Sequence, residues 1–153
     1  MLFRSMPSLR SILSVILVLV TTLLVSCSSP KASQIPTTYS AEKIEQLQVF
    51  AEPIAAARDE ILELQDLLAD KNWVDTRTLI HGPLGQLRKD MLNLSRSLLP
   101  KDQKQATELA REVFGHLEEL DAAAKERNSA QAETQFRQAL LDFDAFVDLI
   151  PRA

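Results

Sequence analysis

From residue 40 onward apolar side chains recur in steps of three and four, and this period constrains the fold more than any other feature of the chain. Leu47, Phe50, Ile54, Ala57, Ile61, Leu64 and Leu68 make the first stripe. Leu84, Leu87, Met91, Leu94 and Leu98 make a second that stops at Pro100. Ala106, Ala110, Val113, Leu117, Leu120 and Ala124 make a third, within a helix predicted over 101–127. Ala132, Phe136, Leu140, Phe143, Val147 and Ile150 make a fourth, ending before Pro151, and Phe146 beside it is expected in the core with Phe136 and Phe143. Such spacing puts each set on one face of a 3.6-residue helix, which must bury that face against a neighbour. The chain has only three glycines, and β-branched and aromatic residues are sparse beside Ala, Leu, Gln and Glu, which disfavours sheet. Four amphipathic segments joined by short turns predict an all-α, up-down-up-down four-helix bundle. At ~1.5 Å per residue its third helix spans about 40 Å, so the body is elongated.

Local signals place the helix ends. Ser40 is the expected N-cap of the first helix, with Glu42 in its first turn. Pro53 lacks a donor and crowds the carbonyl of Val49, which predicts a kink or break at 50–53 with the helix resuming beyond it. Asn72, three residues before Asp75, is the expected cap of the second helix. Gly82-Pro83-Leu84-Gly85 must break that helix, since a residue before proline is pushed out of the α region. Asn128 followed by Gln131 forms a variant capping box for the fourth.

The first 26 residues are of another kind. Arg4 and Arg10 precede an apolar run, Ile12 to Val25, and Leu24-Val25-Ser26-Cys27 closes it as a lipobox, the small Ser26 sitting just before the only cysteine. Residues 1–26 are therefore expected to be a lipoprotein signal peptide. Cys27 would become the mature N-terminus, carrying diacylglycerol on its thiol and an N-acyl chain on its amine. Each buried methylene contributes roughly 0.8 kcal/mol, so two or three chains hold a protein on a bilayer durably. The competing reading is an uncut membrane anchor, but the charge-free run from Ser11 to Cys27 is shorter than the ~20 residues a spanning helix needs. Residues 27–39, with Pro30, Pro36 and several Ser and Thr, are expected to be a flexible lipidated linker. Its twelve residues after Cys27 reach at most about 40 Å. Residues 40–153 are the expected bundle.

Composition excludes several classes. Removing residues 1–26 takes away Arg4 and Arg10 and no acid, so the net charge falls from −4 to −6 and nonspecific nucleic-acid binding is not expected. With Cys27 carrying lipid, no thiol remains for a disulfide, a CxxC pair or a haem attachment. No nucleophile–base pairing is visible, and no enzymatic activity is expected.

Asn72-Trp73, followed by Leu79-Ile80-His81-Gly82-Pro83-Leu84-Gly85-Gln86-Leu87-Arg88, resembles the PsbQ family of extrinsic photosystem II subunits. Four helices with an interrupted second suit that family, and a lipobox suits its cyanobacterial branch. The resemblance covers about 40–150 and is concentrated in 80–88. It implies a lumenal, lipid-anchored thylakoid protein that works by binding and shielding. Its implied neighbours are the manganese-stabilising protein and a core antenna protein. The implied role is to stabilise the oxygen-evolving complex by helping to retain calcium, chloride and the other extrinsic subunits. A lipid-anchored periplasmic adaptor for another envelope complex is the alternative, and a metal- or haem-binding bundle comes last for want of a ligand pattern.

The candidate site residues lie in and around the second helix. Between Arg77 and Lys104 six basic residues, Arg77, Arg88, Lys89, Arg96, Lys101 and Lys104, face two acids, Asp90 and Asp102, a local +4 that leaves −10 for the rest of the mature chain. Such a segment on an acidic body suits an acidic partner surface. A solvated helix face with intrahelical pairs explains the same residues equally well without the resemblance. The resemblance favours docking, with Trp73, Arg77, His81, Pro83, Arg88, Lys89 and Arg96 as partner-binding candidates. Family members bind zinc, which makes the two histidines, His81 and His116, weak zinc candidates. No ligand spacing completes a site, although Glu112 and Glu119 lie one helical turn from His116. His81 is expected to hydrogen-bond within the break. Glu118, Glu119 and Asp121, and likewise Asp142, Asp144 and Asp148, are expected to be solvating charges.

Overall fold

A computed structural model describes residues 36–152. The lipobox, Cys27 and most of the expected linker lie outside the described residues. The described helices are α1 (Ala41–Ala69), α2 (Trp73–His81), α3 (Pro83–Ser97), α4 (Pro100–Lys125) and α5 (Ser129–Asp148). Together α2 and α3 form the interrupted second column of an antiparallel four-helix bundle. Each column packs on its two neighbours in sequence, and α5 closes the ring on α1. Among the described residues there is no strand, and no helix is long and apolar enough to cross a membrane.

The cap residues act as expected. The side chains of Ser40, Asn72 and Asn128 accept the backbone N–H groups of Lys43, Asp75 and Gln131, filling orphan donors of α1, α2 and α5. At Gly82 the interruption has a steric cause. A Cβ there would sit 2.9 Å from the Thr78 carbonyl oxygen, which itself accepts the Gly82 N–H. Pro83 then opens α3 at a position where a missing N–H costs nothing. Pro100 is likewise the first residue of α4.

The core consists of the predicted stripes with three corrections. First, α1 runs unbroken through Pro53. Val49, whose carbonyl loses its partner, is 66% exposed, so water can replace the missing bond while Leu47, Ile54 and Ala57 hold the helix on the core. Second, Phe50 is not core; it remains 42% exposed although in register. Third, in α5 Leu140 and Val147 are only part-buried, while Ala132, Phe136, Ala139, Phe143 and, as expected, Phe146 are buried, with Ile150 buried just beyond the helix. The buried face is rotated by one residue from the expected stripe, toward the larger Phe146. Phe114, outside the predicted stripe, is also buried.

Tyr39, the last residue of the expected linker, is fastened to the bundle. Its Oη donates to Asp102 Oδ2 at 2.7 Å and accepts the Leu99 N–H at 3.1 Å, and Lys101 Nζ stands 5.9 Å from the ring centroid. Leu99 is the N-cap of α4 and has no side-chain cap of its own, so the phenol supplies one from another element. Burial, reinforced by the Asp102 carboxylate, pushes the phenol up to about 12.

Candidate functional site

The candidate residues gather where α2 and α3 lie against α4, and α4 answers their charge. Asp121 on α4 accepts from Arg77 Nε at 2.9 Å and lies 3.0 Å from His81 Nε2, so one carboxylate holds both residues of α2. Its side chain is only 19% exposed. His81 therefore bonds across to α4, not within the break as expected. It has reached the last turn of α2, from which its ring faces the neighbouring column.

One turn into α3, Arg88 pairs with Glu118 and lies over the Phe114 ring, its Cζ 4.8 Å from the centroid. A cation above an aromatic face at this distance adds about 0.5–1 kcal/mol and fixes the guanidinium sideways against α4. Pro83 is exposed at the head of α3. Lys89 and Arg96 are exposed and, among the described residues, make no ion pair. The basic segment is thus divided. Arg77 and Arg88 bind the molecule's own acids, while Lys89 and Arg96, seven residues apart on one face of α3, point to solvent.

The acidic clusters need the matching correction. Glu118 and Asp121 tie α4 to the second column, and Asp144 binds Arg58 of α1 through both oxygens, at 3.0 and 3.3 Å. Asp148 lies near Arg152 at 3.6 Å. Asp142 lies 3.3 Å from His116 Nε2, whose Nδ1 is 2.7 Å from the side-chain amide of Gln135. His116 thus spans from α4 to α5, with both ring nitrogens occupied and neither Glu112 nor Glu119 among its partners. Among the described residues no three His, Cys, Asp or Glu side chains come together as a metal-binding group.

Two open grooves flank this region. The larger, of about 460 Å³, lies between α2 and the end of α4, lined by Trp73, Val74, Arg77, His81, Lys125 and Arg127 among others. The other, of about 320 Å³, lies beneath the break between Leu84, Arg88, Phe114 and Asp121. Val74, Lys125 and Arg127 were not recognised as candidates from the sequence. A signal was present: Asp70-Lys71-Asn72 and Glu126-Arg127-Asn128 repeat an acid–base–Asn triplet at two helix junctions. Both triplets build the same turn. Lys71 and Arg127 take left-handed φ of 53° and 56°, and the N–H groups of Asn72 and Asn128 reach back to Leu67 and Ala123. These turns bring Lys71 and Arg127 to the same end of the bundle as Trp73.

The oxygen evolving enhancer protein 3 (PsbQ) family model matches residues 4–151. The chain is also similar to CyanoQ of Synechocystis sp., 67% identical over 149 residues, covering 97% of this chain and 99% of that protein. The helices, the break at Gly82-Pro83 and a match running almost from end to end agree, and the chain belongs to the PsbQ family.

Proposed function

We propose that this protein is an extrinsic subunit of photosystem II, tethered by lipid on Cys27 to the lumenal side of the thylakoid membrane, that acts by binding. The observation that carries the reading is the 67% identity to CyanoQ over nearly the whole of both chains. It docks beside the manganese-stabilising protein and a core antenna protein and helps retain calcium, chloride and the other extrinsic subunits at the oxygen-evolving complex. The described body suits such a role. Its buried side-chain polar atoms all have partners among the described residues, and cross-column pairs hold α4 to both its neighbours, giving a stiff body that presents fixed surfaces. Lys89 and Arg96 are the docking cations on α3, because Arg77 and Arg88 already have carboxylate partners. A rim charge of this kind governs encounter and salt sensitivity more than folding.

The test is co-purification. A tagged chain should accompany oxygen-evolving photosystem II particles, and its loss should raise their demand for added calcium and chloride. Particles that evolve oxygen normally and contain none of the tagged chain would remove the proposal.

A further inference from the structure

The end of the bundle opposite Tyr39 combines charge and apolar surface in a way that the contacts between helices do not explain. Trp73 is half-buried at the start of α2, its backbone N–H donating to the Lys71 carbonyl at 3.0 Å, and Val74 beside it is 74% exposed. Across the groove stand Lys125 and Arg127, exposed and, among the described residues, without an ion pair. Arg77 and His81 close the inner wall, both held by Asp121, which answers the Arg77 charge. No carboxylate lines the groove. On a chain of net charge −4, a groove of about 460 Å³ walled by cations over an indole lies within the size range of ligand pockets and selects for an acid with an apolar side.

We propose that this groove seats an extended acidic segment of a partner protein, with carboxylates on Lys125 and Arg127 and one apolar side chain against Trp73 and Val74. A protein segment is favoured over an anionic bilayer by shape: the cations wall a groove instead of standing on a flat face, and the Trp73 ring that lines it is half-buried, so a side chain on an extended segment fits it better than a bilayer surface does. The location of the partner rests on the photosystem II reading; the chemistry of the groove does not.

Trp73 is the only tryptophan, so its emission reports on the groove alone. The full-length protein is titrated at low salt with the blocked peptide Glu-Asp-Leu-Glu-Asp, with its amide counterpart Gln-Asn-Leu-Gln-Asn, and with phosphatidylglycerol vesicles. The acidic peptide should give a saturable emission change that high salt abolishes, and the double variant K125E/R127N should bind it at least about tenfold more weakly. Asn tolerates the left-handed turn at 127, and an unchanged far-UV circular dichroism spectrum confirms the fold. No response to the acidic peptide, an equal response to the amide peptide, an unaltered affinity in the variant, or a response to vesicles alone would each overturn the inference. Parallel binding to photosystem II particles stripped of extrinsic proteins separates the two claims. Retention on the particles without peptide binding defeats the groove, whereas peptide binding without retention defeats the photosystem II reading and leaves the groove standing.

Discussion

Tyr39 should ionise far later in the native protein than in the unfolded chain. Three features of its site favour the neutral phenol: burial first, then its hydrogen bond to Asp102, and then the negative charge of that carboxylate. The Leu99 N–H acts in the opposite sense and is outweighed. The folded value of about 12 stands above the ordinary 10.0, so the folded state holds the proton more tightly. Stability from this contact is therefore complete below pH 10 and is lost as pH climbs towards 12. Two pKa units set a ceiling of about 2.7 kcal/mol, which solvent screening at a part-exposed site reduces to about 1 kcal/mol. Because the chain has one tyrosine, tyrosinate absorbance near 295 nm follows this group alone. In denaturant the midpoint should fall near 10; in the native protein it should lie well above that, and Asp102→Asn should bring it part of the way back, burial remaining. Tyr39→Phe should destabilise the fold by about 1–2 kcal/mol at neutral pH, since it strips the Leu99 N–H of its acceptor. Reversible ionisation near pH 10 with helicity intact would refute the reasoning.

The break, the turns and the docking cations can be probed in the same way. Gly82→Ala should lower stability by about 1–3 kcal/mol in thermal or denaturant unfolding, because its Cβ would press on the Thr78 carbonyl oxygen; an unchanged midpoint would mean that the backbone there yields freely. Lys71→Gly should raise stability by up to about 1 kcal/mol by relieving the left-handed residue, and Arg127→Gly should do likewise; a loss in both would show that the side chains contribute more than the strain costs. Lys89→Glu with Arg96→Glu should weaken retention on photosystem II particles and flatten its salt dependence while leaving circular dichroism unaltered; unchanged retention would place the contact elsewhere.

What could be read from the residues alone was what depends on near neighbours in the chain. Asn72, Asn128 and Ser40 each lie three residues from the N–H they cap, and Gly82-Pro83 carries its own steric cause, so these were legible. The stripes of α3 and α4 were legible too, because every expected member is buried. Phe50 fits the same period and is exposed, since period reports a face and not whether a neighbouring helix covers it at that level. In α5 Phe136, Phe143 and Phe146 were legible as core, but two faces one residue apart are both apolar, and only packing leaves Leu140 and Val147 part-buried. The charges were the least legible. Arg77 and Asp121 are 44 positions apart and Arg88 and Glu118 are 30 apart, and nothing local says that they meet. Counting charge along the second helix therefore overstated its free basic surface by those two arginines.

Cross-linking mass spectrometry on isolated thylakoids tests the central claim most directly, because it identifies both the neighbour and the face in contact. The account predicts cross-links from Lys89 and Lys125 of this chain to lumenal subunits of photosystem II. Cross-links from those lysines solely to an unrelated envelope complex, with none to photosystem II, would contradict it.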